Sequence, residues 1–212
     1  MITIIDYGVG NLRSVQKAFE KAGAGRVSIS HDREEIRAAD QVVLPGVGAI
    51  RAAMDRLHAQ DLIDPIKEVI ASGKPFFGIC VGFQLLFEKS FEFGEVEGLG
   101  LIPGSVRKFP DTVKVPQIGW NSLNLRPSPL WQGLDPNVMH DVYFCHSFYA
   151  KPDDPSVIAA TTEYGIEYCC AVQKGNIYGV QFHPEKSQTI GLKILENFIQ
   201  MSRKTGERES AL

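Results

Sequence analysis

Pro75-Phe76-Phe77-Gly78-Ile79-Cys80-Val81-Gly82-Phe83-Gln84-Leu85-Leu86-Phe87 reads as an apolar strand that turns through Gly-x-Cys-x-Gly into an apolar-periodic helix reaching Phe87. A strand feeding a helix through Gly-x-nucleophile-x-Gly is the nucleophile elbow, here with Cys where a hydrolase carries Ser. The turn leaves no room for a flanking side chain, so glycine is needed on both sides. At the apex Cys80 is expected to project into solvent, with the N-terminus of the following helix aimed at its sulfur. Such a dipole, or a neighbouring base, lowers a thiol pKa from about 8.5 towards neutrality. The pentapeptide alone also fits a buried structural cysteine beside two unrelated glycines.

A second motif lies near the C-terminus, in Tyr178-Gly179-Val180-Gln181-Phe182-His183-Pro184-Glu185. Alternate side chains of an extended segment share a face, which sets Glu185 beside the imidazole of His183. A carboxylate there fixes the ring tautomer and stabilises the imidazolium while the other ring nitrogen faces a thiol. Cys80, His183 and Glu185 thus read as nucleophile, base and orienting group. Pro184 donates no ladder hydrogen bond and suits the end of a strand. Taken alone, the tripeptide also reads as a surface turn.

Upstream of the elbow, strand and helix signals alternate. Ile2–Ile5 reads as a buried strand, and Leu12, Val15, Phe19 and Ala22 have helical spacing that Gly23 stops. Val27–Ile29 is a short strand, Asp32 to Glu35 a capping box, and Gln41–Leu44 a strand leading into Pro45-Gly46-Val47-Gly48. Helices are expected over about Ile50–Leu57 and Leu62–Ala71. After Phe87 the pattern becomes β-like: Ser105–Phe109, Trp120–Leu123, Val142–Tyr149, Val157–Thr161, Glu167–Gln173, and a hairpin at Lys174-Gly175-Asn176 into Ile177–Phe182. A last helix is expected from Ser187 to Ser202. The implied fold is α/β, a mostly parallel central sheet with helices on both faces, extended by antiparallel strands in the C-terminal half. Ligands of such sheets bind at the strand C-terminal ends, where both Cys80 and Pro45–Gly48 fall. One domain over residues 1–202 and a polar tail over 203–212 are expected.

Composition narrows the function classes. Apolar residues are 44% of 212, enough for a sizeable core, and a net charge of −3 with scattered Lys and Arg gives no footprint for nucleic acid. No apolar run approaches the roughly 18 residues of a membrane span, and the N-terminus lacks the basic region of a signal peptide. The four cysteines, Cys80, Cys145, Cys169 and Cys170, show no CxxC or zinc spacing, which fits a reduced cytoplasmic compartment. Cys145, Cys169 and Cys170 are expected in the core. Gly8-Val9-Gly10 lacks the third glycine of a dinucleotide fingerprint, since Arg13 stands there, and reads as a tight turn. Pro45-Gly46-Val47-Gly48 reads either as a plain connection or as a segment offering a backbone N–H to an oxyanion. His146, followed by Ser147 and aromatic neighbours at a strand end, is the remaining histidine of interest.

The elbow and Val180-Gln181-Phe182-His183-Pro184-Glu185 resemble the signatures of triad (class I) glutamine amidotransferases. More narrowly the chain is similar to the family of glutaminase subunits of imidazole glycerol phosphate synthase. That likeness rests on Asp6-Tyr7-Gly8-Val9-Gly10-Asn11-Leu12, Leu44-Pro45-Gly46-Val47-Gly48, Gly98-Leu99-Gly100-Leu101-Ile102, Gly119-Trp120-Asn121 and Tyr143-Phe144-Cys145-His146-Ser147. Gln117 is a departure, since that family often has His there. The resemblance implies that Cys80 attacks the amide of glutamine with His183 and Glu185 as its relay, without cofactor or metal. It implies oxyanion donors at the backbone of Val47 and Val81, and glutamine contacts from Gly46, Gly48, Gln84, Glu92, Ser147 and Phe148. It also implies a heterodimer with a cyclase partner, a (β/α)8 barrel, docked on a face containing Asn11, Trp120, Tyr143 and Lys186. Rival readings are an amidotransferase serving another synthase, a cysteine peptidase and a catalytically silent binding subunit.

Overall fold

The computed structural model describes residues 1–209, with side chains as far as Met201. Its first half comprises β1 (Ile2–Ile5), α1 (Leu12–Lys21), β2 (Val27–Ser30), α2 (Arg33–Ala38), β3 (Gln41–Gly46), α3 (Ile50–Ala59), α4 (Ile63–Ala71), β4 (Phe76–Cys80) and α5 (Val81–Gln84). Then come β5 (Phe87–Ser90), β6 (Val96–Glu97), β7 (Ile102–Lys108), β8 (Gln117–Ser122) and β9 (Asn124–Leu125). The chain closes with β10 (Asp141–His146), β11 (Phe148–Pro152), β12 (Ile158–Glu163), β13 (Glu167–Lys174), β14 (Ile177–Val180) and α6 (Gln188–Glu209).

Among the described residues the main sheet runs β2-β1-β3-β4-β14-β13-β11-β7-β5-β6. From β2 to β14 every pairing is parallel, and β13, β11 and β7 continue it antiparallel, as expected from the sequence. β1, β3, β4 and β14 are buried along their whole length, the mark of strands covered on both faces. Helices flank the sheet, α1 beside α6 and α2 beside α4. Phe19, Phe77 and Phe198 fill the space under α6, with the Phe77 and Phe198 rings stacked at 4.9 Å.

Local chemistry explains the elements and their departures from expectation. Asp32 caps α2 by accepting from the N–H groups of Glu34 and Glu35 at 2.8 and 2.9 Å. Its own N–H is held by Ser30 Oγ, not by Glu35, so the cap is one-sided. The elbow helix is a single turn ending at Gln84, and Phe87, expected within it, opens β5. The expected strand Val142–Tyr149 is two strands in different sheets: β10 pairs with β8, whereas β11 pairs with β7 and β13. The chain changes sheets at Ser147. The last helix continues beyond Ser202 to Glu209, and the rest of the expected tail, 210–212, lies outside the described residues.

Register brings three segments to one rim. Gly46 of β3 lies opposite Cys80 of β4, and Val180 of β14 lies opposite Ile79. Pro45–Gly48, the elbow and the His-Pro-Glu turn therefore leave the sheet side by side. Close approach forces glycine at the elbow: a Cβ on Gly82 would stand 1.8 Å from Leu44 O, and one on Gly78 2.6 Å from Gly82 O.

Candidate active site

Cys80 ends β4 with φ +56° and ψ −108°, a backbone conformation that costs a non-glycine residue and is found mostly at functional turns. It does not project into solvent: it is 4% exposed. Nor does a long helix face its sulfur, since α5 is one turn; the His183 ring lines the same cavity, near enough for Cys80 to raise its pKa. His183 follows β14 by three residues and is also buried. Its N–H donates to Tyr143 O at 2.9 Å and its carbonyl accepts from Ser187 Oγ at 2.7 Å, which fixes the turn against β10.

His183 Nδ1 lies 2.9 Å from Glu185 Oε1, with both side chains buried. Burial alone would lower the His183 pKa. Hydrogen bonds to Cys80 and Glu185, and the negative charges of both, outweigh it and push the pKa up to about 10. Glu185 Oε2 is buried without a hydrogen-bond partner.

A cavity of about 300 Å³ opens over Cys80 and His183. Of the residues singled out in the sequence, Val47, Gly48, Val81, Gln84, Glu92, Ser147, Phe148 and Lys186 line it as well. Gly46 is buried behind that wall, opposite Cys80. Val81 N–H opens the first turn of α5, where backbone donors lack intrahelical acceptors. Glu92 Oε2 accepts the N–H of Ile50 at 2.7 Å, at the start of α3, and burial raises its pKa against that bond.

Trp120 and Tyr143 meet beside the cavity and reach its wall through Lys186. The Trp120 and Tyr143 rings pack edge-to-face at 6.0 Å, and Lys186 Nζ sits 5.6 Å from the Tyr143 centroid. Asn11 lies on a different element, at the N-cap of α1, without a side-chain cap bond.

Gln181 and Tyr168, neighbours of the site, escaped sequence reasoning. Gln181 Nε2 lies 3.9 Å from Cys80 Sγ, and its Oε1 accepts from Gln84 Nε2 at 2.9 Å, which also donates to Phe148 O at 2.9 Å. The period-2 pattern that paired His183 with Glu185 would have placed Gln181 on the same face. Buried His146 also lines the cavity, with Nδ1 2.7 Å from Phe148 O and Nε2 3.1 Å from Tyr168 Oη. Tyr168 Oη donates to Gln117 Oε1 at 2.8 Å, and Gln117 Nε2 to Asn121 Oδ1 at 2.9 Å. Gln117, the departure from the family pattern, is thus part of a polar chain running from β8 to the cavity wall. Cys145, expected in the core, is exposed and lines the cavity; Cys169 and Cys170 are buried as expected.

Residues 3–201 match the family described as Glutamine amidotransferase class-I. The Syntrophotalea carbinolica protein named "Imidazole glycerol phosphate synthase subunit HisH" is 51% identical over 209 residues, 95% of this chain and 100% of that protein. The protein of the same name from Geobacter metallireducens is 52% identical over 205 residues, 93% of this chain and 96% of its own. Among solved structures, a putative GMP synthase subunit from Thermoplasma acidophilum shares the fold, with a TM-score of 0.71 at 22% identity over 99% of this chain and 96% of that one. With a family match across almost its whole length and relatives half identical to it, the chain belongs to the class I glutamine amidotransferases, on the HisH branch.

Proposed function

We propose that Cys80, His183 and Glu185 carry out glutamine hydrolysis in this chain, a HisH-type glutaminase subunit of imidazole glycerol phosphate synthase that serves histidine biosynthesis. The observation that carries the assignment is the buried His183 ring, hydrogen-bonded to Glu185 and sharing the wall of an open cavity with Cys80.

The Cys80 thiolate attacks the side-chain amide carbon of glutamine, forming a C–S bond and an oxyanion. The imidazolium of His183 gives its proton to the amide nitrogen, and the C–N bond breaks to release ammonia. Neutral His183 then takes a proton from water, whose oxygen attacks the thioester. The C–S bond breaks, glutamate departs and the thiolate–imidazolium pair is restored. Glu185 holds the ring in one orientation throughout. The oxyanion donors are the N–H groups of Val81 and Val47. Glu92 accepts the glutamine ammonium, while Gln84, Ser147, Phe148 and the Gly46–Gly48 backbone hold the rest of the amino acid. Residues 1–202 act as one domain, in keeping with the family match over 3–201.

Ammonia released into water is protonated and lost as a nucleophile, so the chain works docked on the enzyme that consumes it. That partner is a (β/α)8-barrel cyclase, which uses ammonia to form imidazole glycerol phosphate and an aminoimidazole carboxamide ribonucleotide. Trp120, Tyr143, Lys186 and Asn11 form the docking face. The decisive test is ammonia release from glutamine with and without a cyclase of this family and its nucleotide. Wild type is expected to be slow alone and much faster in the complex, and Cys80→Ala inactive in both. Equal activity of Cys80→Ala and wild type would refute the triad.

A further inference from the structure

Tyr7 follows β1 by two residues and is completely buried. The ladder between β1 and β3 stops at Ile4 opposite Val43, whereas β3 runs on to Gly46. The Tyr7 phenol stands where the next rung would be, and its Oη donates to Pro45 O at 2.9 Å. The same oxygen lies 2.5 Å from where a Cβ on Gly46 would sit, and Val81 Cβ lies 2.9 Å from that point on the other side. The phenol is thus packed between the end of β3 and the elbow that carries Cys80. Burial and the neighbouring Cys80 raise its pKa against the opposing pull of Arg56, so it remains a donor throughout the physiological range.

From this contact we infer that Tyr7 is a positioning residue for the oxyanion segment, clamping the Pro45–Gly46 peptide so that only the following peptide, Gly46–Val47, is free to turn towards the reacting oxygen. The peptide group is planar, so fixing the Pro45 carbonyl also fixes the N–H of Gly46, which points the opposite way, towards β4. Glycine at 46 is required because the clamp occupies the space a Cβ would need. Beyond it, Val47 is 45% exposed and Gly48 has φ +84°, so the chain past the clamp leaves the packed end of β3. A hydroxyl 38 residues upstream of Pro45 thereby sets the pivot about which the Val47 N–H swings.

The inference rests on the glutaminase reading, and the experiment separates the two. Tyr7→Phe keeps the ring and removes the clamp. Two rates are compared in the cyclase complex: glutamine turnover, which passes through an oxyanion, and alkylation of Cys80 by iodoacetamide, which does not, followed by mass spectrometry. With a loosened rather than lost donor, kcat is expected to fall about tenfold, less than the roughly 100- to 1,000-fold for deleting a donor. KM for glutamine and the Cys80 alkylation rate are expected to stay within about twofold of wild type. Unchanged kcat overturns the proposal. So does a parallel fall in turnover and alkylation, or a Tyr7→Phe chain that does not fold, since either makes Tyr7 a general structural residue. An inactive wild-type complex, or an active Cys80→Ala one, counts against the glutaminase reading instead.

Discussion

At His183, burial and charge pull proton affinity in opposite directions, and the outcome depends on a carboxylate two residues away. Glu185→Gln keeps the shape and removes the charge. Loss of the orienting, charge-stabilising group is expected to lower kcat about a thousandfold or more. In the proposed mechanism the proton of His183 is the acid in amide cleavage, so wild-type turnover is expected to be lost as pH rises towards about 10, and the variant's at lower pH. An unmoved alkaline limb in a pH–rate profile would remove Glu185 from the relay. His146 is the converse case: burial lowers its pKa to about 4 despite its bond to Phe148 O. The unfolded chain takes up that proton first, near the ordinary value of about 6.5. Folding stability is therefore expected to fall as pH drops from about 6.5 to about 4, by up to about 1.4 kcal/mol per unit. Urea unfolding at pH 7, 6 and 5 should show a shallower decline in His146→Gln than in wild type. His183 does not contribute in that window, because its raised pKa adds stability that is complete below about 6.5 and lost between there and about 10. The triad was legible because two of its members share a tripeptide and the third sits in a glycine-marked turn. The contacts of Tyr7 and of the chain from His146 to Gln117 were not, since these residues meet their partners only where distant strands cross, as with Gln117 and Tyr168, 51 positions apart.

Among the elements, periodicity identified the helices whose apolar faces are regular, as in α1, where Val15, Ala18 and Phe19 are buried. It misread Leu85–Phe87, because a short apolar run packs equally well as a helical turn or as the start of a strand. Here tertiary bonds decide: Leu99 N–H donates to Leu85 O at 2.8 Å and Ile102 N–H to Leu86 O at 2.9 Å, drawing the segment towards β7. The break at Ser147 was equally invisible, since β10 and β11 form one continuous β-like run. A further dependence between elements concerns α6, whose Gly191 packs against the His-Pro-Glu turn. A Cβ there would stand 1.9 Å from Pro184 O, a backbone atom that cannot swing aside. Gly191→Ala is therefore expected to push the turn that carries Glu185 and to lower kcat in the complex at least about tenfold, a displacement of about 1 Å at such a site being costly. Wild-type turnover in a folded Gly191→Ala chain would show that the turn is not set by α6.

At the scale of the whole molecule, the parallel sheet aligns three strand ends at one rim, and the small β8–β10 sheet stands beside it. Alternation on β8 puts Ile118 and Trp120 on one face, 60% and 47% exposed, where Trp120 meets the ring of Tyr143 and, through it, Lys186. Lys186 also lines the cavity over Cys80. The exposed aromatic pair and the catalytic turn are thus joined through one residue, which suits a face whose coverage by a partner is felt at the nucleophile. Trp is a common anchor of such interfaces, and truncating a central one typically costs about 2 kcal/mol or more, about thirtyfold in affinity. Trp120→Ala should therefore raise the cyclase concentration needed for half-maximal glutaminase activity at least about tenfold. Turnover at saturating cyclase should remain near wild type, because Trp120 touches neither Cys80 nor the cavity. Titration of the cyclase into each chain separates the two quantities. An unchanged half-saturation point would move the docking face away from Trp120, and a lowered plateau with unchanged affinity would make Trp120 part of the activating signal and not of the anchor.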